Sequence, residues 1–255
     1  MCLVVFAWQV HPEHRLILAA NRDEFHGRPA SPLDWWPDKP SILAGRDLQA
    51  GGTWLAVTRK GRFATVTNYR EQEQSIDRKR SRGELVTDFI SGDIGAGKYA
   101  GSIAGDQYAG FNLLAASEGD LFYVSNRNDA PIRLSPGIYG LSNASLDTPW
   151  SKVVRSRDAL RTLIERDAVD EAALLELLAD RRTAPVPDAV ATHLPFQLAK
   201  TLTSPFIVAP DYGTRCSTTL FWSHSGNITL GERRFDEKGE VSGESRFSFA
   251  VDDRS

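Results

Sequence analysis

The chain opens with Met1-Cys2-Leu3-Val4-Val5-Phe6-Ala7-Trp8, and Asn21-Arg22-Asp23-Glu24 follows a short distance later. One apolar run spans residues 2–10 and a second spans residues 15–20, with a His-Pro-Glu-His turn between them. Two short apolar runs around a turn are typical of a buried β-hairpin. The tetrad at 21–24 stands where the second strand is predicted to end, so we expect its polar side chains to reach a site.

Cys2 directly follows the initiator Met, and its small size predicts that Met1 is removed. Removal would leave a thiol and a free α-amine on one residue, which places a nucleophile and a candidate base together. An α-amine titrates near ~7.7–8.0 and a thiol near ~8.5, so the amine can accept the thiol proton close to neutral pH. The alternative is a small, buried and inert strand residue, which is common for free cysteines.

The composition is that of an ordinary globular protein, with 41% hydrophobic and 25% charged residues. A net charge of -3 and a pI near 6.0 predict no nucleic-acid partner. No apolar run approaches the ~18–20 residues that span a bilayer, so no stable membrane insertion is expected. Cys2 and Cys216 form no disulfide framework, and the apolar start lacks the basic region and cleavage site of a secretory signal. We therefore expect a cytoplasmic protein.

Strand-like and helix-like segments alternate along the remaining chain. Residues 26–52 are predicted to form a long irregular loop because prolines interrupt them, and the Trp35-Trp36 pair within it is either a pocket wall or a hydrophobic anchor. Strands are predicted at 51–58, 62–68, 111–116, 121–125, 138–143, 205–209, 214–223, 227–235 and 242–250, helices at 83–91, 150–166 and 170–181, and a linker at 185–195. This order predicts an α+β fold of two antiparallel sheets with helices packed outside.

Common catalytic and cofactor motifs are incomplete. The sequence at 92–98 matches the first seven positions of a P-loop, but Tyr99 stands where a Ser or Thr must bind magnesium, and a helix rather than a strand precedes it. The five histidines are scattered and have no partners at structural-zinc spacing. No G-x-S-x-G elbow is present. We therefore expect neither a cofactor nor a bound metal.

Polar residues at the ends of predicted strands form one set suited to acyl transfer: Asp23, Asn68, Asn143 and Arg215, together with Cys2. In acyl transfer a thiol attacks the carbonyl, and amide donors stabilise the oxyanion. A carboxylate can orient the α-ammonium, and a guanidinium lowers the pKa of a thiol. Taken singly, each of these residues is more simply a turn former or a surface group.

Several motifs together resemble the transport and Golgi organisation family, also called NRDE after its tetrad: Met1-Cys2, Asn21-Arg22-Asp23-Glu24, Gly51-Gly52-Thr53-Trp54, Val66-Thr67-Asn68-Tyr69, Leu141-Ser142-Asn143 with Pro149-Trp150, and Tyr212-Gly213-Thr214-Arg215. The resemblance extends from residue 1 to roughly 235. It implies one domain over residues 1–255 with the four-layer αββα sandwich of the N-terminal nucleophile (Ntn) hydrolases.

More distantly, the chain is similar to choloylglycine hydrolases and penicillin V acylases. That similarity implies a catalytic set of Cys2, Asp23, Asn68, Asn143 and Arg215. Those relatives carry an Arg three residues before the Asp, where this chain has Ala20, and Arg22 is a displaced substitute.

The resulting hypothesis is a cysteine-nucleophile hydrolase that cleaves a non-peptide C–N bond in a small or lipid-like amide. In this hypothesis Asn68 and a backbone N–H stabilise the oxyanion, Asp23 holds the α-ammonium and Asn143 positions it. The predicted pocket residues are Arg22, Trp35, Trp36 and Arg46. The oligomeric state stays open.

An alternative from another class is a protein that binds or traffics a lipid-like or haem-like ligand on the same fold, without turnover. The Trp35-Trp36 loop would then clamp the ligand. A redox role of Cys2 and Cys216 is a weaker third alternative, because Cys216 lies in a β-rich segment and is most simply a core residue.

Overall fold

The computed structural model describes residues 2–70, 80–185 and 195–252. The strands are β1 Cys2–Trp8, β2 His14–Phe25, β3 Ala30–Trp36, β4 Lys39–Asp47, β5 Leu55–Thr58, β6 Phe63–Asn68, β7 Phe111–Ser117, β8 Asp120–Ser125, β9 Ile132–Arg133, β10 Gly137–Leu141, β11 Tyr212–Ser223, β12 Asn227–Phe235 and β13 Val241–Ala250. The helices are α1 Arg82–Ser91, α2 Ala96–Ser102, α3 Ser151–Glu165, α4 Glu171–Leu178 and α5 Phe196–Thr201. Most of the predicted linker, residues 186–194, lies outside the described residues.

The first sheet contains the predicted N-terminal hairpin, which is confirmed. Its strand order is β10-β1-β2-β11-β12-β13, and β1 pairs antiparallel with β2 from Cys2 opposite Arg22 to Trp8 opposite Leu16. The predicted end of the second strand was wrong, because β2 continues to Phe25 by pairing with β11 as far as Tyr212. The tetrad therefore lies inside a strand.

The second sheet has the order β3-β4-β5-β6-β7-β8-β9 and contradicts the loop predicted over residues 26–52. Strands β3 and β4 pair antiparallel across that segment. Pro32 lies in β3, which is an edge strand, and the pairing register shifts between Ser31 and Asp34 around it. An edge strand or a bulge tolerates a proline because the missing N–H does not interrupt a central ladder.

Three layers of apolar side chains join the elements into an αββα sandwich. A core that includes Phe6, Leu18 and Phe63 lies between the sheets. Helices α1 and α2 pack on the outer face of the second sheet, and α3 and α4 pack on the outer face of the first. The predicted α+β fold with two antiparallel sheets is confirmed.

The predicted helices at 83–91, 150–166 and 170–181 are confirmed as α1, α3 and α4. The strand predicted at 205–209 was wrong, since only Val208 forms a bridge there, with Gly213. Helix α5 was not predicted. Within the described ranges, no helix is both long and apolar enough to cross a bilayer.

A close glycine contact fixes the start of α1 against the turn before β5. A Cβ added at Gly52 would lie 2.7 Å from the carbonyl carbon of Gly83 and 2.9 Å from its oxygen. Because those are backbone atoms, the clash cannot be relieved by a side-chain rotation. The close contact therefore fixes the distance between the start of α1 and the turn before β5.

Gly52→Ala is expected to lower the free energy of unfolding by about 1–3 kcal/mol, the usual cost of overpacking. Urea denaturation followed by circular dichroism would measure the change. Gly27→Ala is the matched control, because an added Cβ there meets no described atom within 4 Å. Equal losses in the two variants would contradict the close-packing argument.

Candidate active site

A cleft of about 190 Å³ opens where the ends of several elements meet. The paired ends of β1 and β2 contribute Cys2 and Arg22, and the turn before β5 contributes Trp54. The end of β6 contributes Asn68, and the first turn of α1 contributes Arg82. The elements that the fold holds together thus place a thiol, an amide and two guanidinium groups around one space.

Cys2 is half-buried at this cleft and lies next to Arg22. The strand register places the two residues directly opposite each other, and such pairs have Cβ atoms about 5 Å apart on one face of the sheet. The Arg22 guanidinium lies over the Trp54 ring, 4.3 Å from its centroid. Alternation along β1 puts Cys2 on the face of Val4 and Phe6, which belong to the core between the sheets.

Asn143 connects the backbone of Cys2 to the end of β6. Its Oδ1 accepts a hydrogen bond from the Cys2 backbone N–H at 3.1 Å. Its Nδ2 donates to the backbone oxygen of Asn68 at 2.6 Å. The neighbouring Ser142 hydroxyl donates to the Cys2 carbonyl oxygen at 2.6 Å, so both polar backbone groups of Cys2 are held. The structure brings Cys2, Asn68 and Asn143 together.

A buried network beneath these residues was not predicted. The Thr67 hydroxyl donates to the Ser142 carbonyl at 2.7 Å. Asn112 Nδ2 donates to the Ala144 carbonyl at 3.0 Å, and the Tyr123 hydroxyl donates to Asn112 Oδ1 at 2.9 Å. Satisfied buried networks rigidify the backbone around them, so this one fixes the loop that carries Asn143.

Asp23 reaches the cleft from the helix-covered side of the first sheet. It is 2% exposed, and its Oδ1 accepts a hydrogen bond from the Thr214 hydroxyl at 2.7 Å. Burial raises the pKa of this carboxyl above its ordinary value, and the positive charge of Lys152 is the largest effect opposing that rise. Lys152 lies in the first turn of α3 and is 0% exposed. Sequence reasoning missed this buried cation.

Arg215 is not brought to the cleft. Its Nη1 donates to the backbone oxygens of Phe25 at 3.1 Å and His26 at 2.7 Å. The pairing of β11 with β2 shifts register here, because Thr214 opposes Asp23 and the next paired residue is Cys216 opposite Arg22. The bulge leaves Arg215 without a cross-strand partner on β2, and Arg22 occupies the place beside Cys2.

The other predicted pocket residues also lie elsewhere. Trp36 is buried on the α1 side of the second sheet, and its indole N–H donates to the Ala44 carbonyl at 3.0 Å. Trp35 packs edge-on against Phe249, with ring centroids 5.1 Å apart. Arg46 lies over the Trp36 ring and pairs with Asp38 at 2.8 Å. Among the described residues lining the cleft, none belongs to this group.

Two further residues complete the surroundings of Cys2. Arg82 was not predicted as a site residue; it lies directly before the helix predicted at 83–91 and is the first residue of α1. Its Nη1 donates to the Gly110 carbonyl at 3.2 Å. Burial lowers the pKa of Arg82, and negative charge on Cys2 opposes that shift. Cys216 is 4% exposed, and burial raises the pKa of its thiol, as suits a core residue.

Over the described part of the chain, no group of three or more His, Cys, Asp or Glu side chains could hold a metal ion. The groups that line the cleft include a thiol, a side-chain amide, a buried carboxylate and guanidinium groups.

Two solved structures share this architecture. The Caenorhabditis elegans ortholog of N-acylethanolamine-hydrolyzing acid amidase matches with a TM-score of 0.51 and 12% identity, covering 86% of this chain and 92% of that one. The C2A mutant of the conjugated bile acid hydrolase from Clostridium perfringens matches with a TM-score of 0.52 and 7% identity, covering 99% and 97%. At such identities the likeness concerns the fold alone, which is that of the Ntn hydrolases.

Sequence similarity identifies one family among the proteins that share this fold. Residues 1–237 match the model of the Transport and Golgi organisation 2 family. The human Transport and Golgi organization protein 2 homolog is 36% identical over 270 residues, covering 96% of this chain and 97% of the relative. The Drosophila melanogaster Transport and Golgi organization protein 2 is 25% identical over 226 residues, covering 76% and 78%. The chain belongs to the Transport and Golgi organisation 2 family.

Proposed function

We propose that this protein is an Ntn-type cysteine amidohydrolase that cleaves a non-peptide C–N bond in a small amide. The observation that carries the proposal is the contact of Asn143 Oδ1 with the Cys2 nitrogen at 3.1 Å, at a cleft that also holds Asn68. Removal of Met1 would convert that nitrogen into an α-amine in a position where an amide oxygen already accepts its proton.

The proposed reaction begins when the α-amine of Cys2 takes the thiol proton, directly or through a water. The thiolate attacks the amide carbonyl, and the Asn68 side chain with a backbone N–H stabilises the oxyanion. Collapse of the tetrahedral intermediate breaks the C–N bond, and the α-ammonium returns its proton to the leaving amine. Water then attacks the thioester, which releases the carboxylic acid and restores the thiol.

Asp23 and Asn143 have supporting roles in this proposal. Asn143 fixes the direction of the α-amine through Oδ1, and its Nδ2 fixes the end of β6 that carries Asn68. The Asp23 carboxylate holds negative charge near the α-ammonium, which favours the protonated amine formed in the first step. Arg215 has no role in the proposed reaction, because its guanidinium binds backbone oxygens at the end of β2.

The proposed function also draws on the names of the two structural neighbours, an ortholog of N-acylethanolamine-hydrolyzing acid amidase and a mutant of a conjugated bile acid hydrolase. The matched regions cover 86% and 99% of this chain. The polar lining of the cleft supports a small substrate group beside the thiol rather than a bulky hydrocarbon.

A panel of acylated amines tests the proposal with the full chain. Intact-mass measurement first establishes the fraction of protein that begins at Cys2. We expect hydrolysis of at least one amide by that mature protein and none by Cys2→Ala, because the thiol is the attacking group. Cys216→Ala is the matched control, since Cys216 is a buried thiol that does not line the cleft, and this variant should retain turnover.

Two outcomes would overturn the proposal. Turnover that survives in Cys2→Ala would place the chemistry elsewhere. Saturable binding of panel compounds by mature protein, with no hydrolysis of any of them, would favour a binding or trafficking protein on the same fold.

A further inference from the structure

Arg22 is a buried cation that faces the cleft without a hydrogen-bond acceptor. It is 7% exposed and lines the space beside Cys2. Across residues 2–70, 80–185 and 195–252, no atom accepts a hydrogen bond from its guanidinium, which lies over the Trp54 ring. A guanidinium carries five N–H donors and stays charged, so the donors of Arg22 that face the open cleft are available to a ligand.

The other charges of the cleft are already balanced within the protein. Arg28 pairs with Asp47 at 2.7 Å and approaches Glu24 at 3.8 Å. Arg80 pairs with Glu84 at 2.8 Å and also contacts Asp88. Among the described residues, no carboxylate forms a salt bridge with Arg22 or Arg82. The uncompensated charge beside the thiol is therefore positive.

Arg82 lines the same cleft, and its Nη1 already donates to the Gly110 carbonyl. Arg82 is the first residue of α1. The close contact between Gly52, in the turn before β5, and Gly83 holds the first turn of this helix in place. The helix dipole adds positive potential at this end. The N–H groups of Ser81 and Gly83 are already used, since they bond to the Glu84 and Ser81 side chains. The two guanidinium groups, rather than free backbone donors, are available to a ligand.

From these observations we infer that the amide substrate carries an oxyanion group, a carboxylate or a phosphate, that Arg22 and Arg82 bind beside the scissile carbonyl. The scissile amide carbonyl in this inference rests on the proposed amidohydrolase function. The anionic group of the substrate goes beyond that function. Guanidinium groups match carboxylate and phosphate oxygens through paired N–H donors. The cleft volume of about 190 Å³ suits a short charged amide.

Isosteric probes test the charge preference by NMR titration of the full ¹⁵N-labelled chain, with the indole N–H signals as reporters. Succinamate carries a carboxylate where succinamide carries a second amide, and 3-phosphonopropanamide carries a phosphonate. We expect the anionic probes to bind about tenfold or more tightly than succinamide, the effect of one charge-assisted contact. Comparing the affinities of succinamate and 3-phosphonopropanamide shows whether the site prefers a carboxylate or a phosphate-like group. Raising the salt concentration should reduce the difference.

Substitutions of Arg22 and Arg82 test whether these two residues cause the preference for anionic probes. Arg22→Gln and Arg82→Gln should each reduce the advantage of the anionic probes by about tenfold. Arg133→Gln removes the same charge from an exposed pair with Asp120 and should leave the preference unchanged. Equal affinity of wild type for succinamate and succinamide would overturn the inference without requiring any variant to fold.

The titration is separable from the test of the proposed function. Hydrolysis of neutral amides by wild type, with no anion preference in binding, would overturn this inference and leave the hydrolase proposal intact. Anion-selective binding that Arg22→Gln abolishes, with no hydrolysis of any amide, would support the binding site and overturn the hydrolase proposal.

Discussion

Replacing Lys152 with methionine is expected to lower the free energy of unfolding by about 3–5 kcal/mol, the usual cost of leaving a buried charge without its compensating charge. Lys152 is 0% exposed, and Asp23 is 2% exposed. Methionine keeps the long apolar stem, so the packing of α3 against β1 should survive. The loss is electrostatic, because the charge that offsets burial of the Asp23 carboxylate disappears.

The position of Lys152 sharpens this expectation. It lies in the first turn of α3, where the helix dipole disfavours a cation. Both burial and the dipole oppose the ammonium, so a nearby carboxylate must compensate for them. Asp23→Asn/Lys152→Met removes both charges, and we expect it to be less destabilised than the sum of the single variants.

The destabilisation should depend on pH. Burial raises the pKa of Asp23 in the folded protein, and losing Lys152 raises it further. A raised folded pKa contributes stability that is present below the unfolded pKa of ~3.9 and is lost as pH rises through the folded pKa. The deficit of Lys152→Met relative to wild type should therefore shrink as pH falls from 7 toward ~4.

Urea denaturation of wild type, the single variants and the double variant across this pH range would measure the effect. Lys98→Met is the control, because Lys98 is exposed on α2 and forms no salt bridge with any described residue, so it should show no pH-dependent deficit. Additive losses in the double variant, or a deficit independent of pH, would contradict the charge coupling.

The fold was predictable where side-chain alternation was clear. The β1–β2 hairpin and the helices α1, α3 and α4 follow from apolar periodicity and caps, as the Asp170 side chain accepting from the Ala173 N–H at 2.8 Å illustrates. The strands β3 and β4 were missed because prolines were taken to exclude a sheet. A sequence does not say which strand will lie at an edge, where Pro32 is tolerated.

The local sequence correctly predicted that Asn68 and Asn143 lie near strand ends, but it did not predict the register shift within β11. Asn68 and Asn143 lie at or just after the ends of β6 and β10, and both reach the surroundings of Cys2. Arg215 was predicted to join them. The register shift in β11 depends on pairing with β2, a long-range contact that no local pattern encodes.

The sequence contains a pattern that could have identified Lys152 as a buried residue. Ser156 and Leu160 are buried on α3 at four-residue spacing, and continuing the same spacing back toward the helix start reaches position 152. A lysine at a buried helical position in a first turn indicates a charge partner elsewhere. The partner itself, Asp23, could not be identified without the packing of α3 on the first sheet.

Asn68→Ala is expected to lower kcat by about 10²–10³-fold for any amide that the protein hydrolyses, the usual effect of losing one oxyanion donor. Asn68 lines the cleft, and its backbone oxygen accepts from Asn143 Nδ2 at 2.6 Å. Alanine removes the side-chain donor and keeps that backbone contact. The fold and the Cys2 thiol should therefore be unchanged, with KM little affected.

Two measurements distinguish this role from a structural one. Iodoacetamide labelling of Cys2 across pH should be the same in wild type and Asn68→Ala, because the donor acts only on the oxyanion. Asn143→Ala should instead shift the pH dependence of labelling, since Asn143 Oδ1 contacts the nitrogen of Cys2 at 3.1 Å. Asn227→Ala removes an exposed amide at the start of β12 and serves as the control. Full turnover in Asn68→Ala would assign oxyanion stabilisation to another group, and a shifted labelling profile in that variant would mean that Asn68 positions the thiol instead.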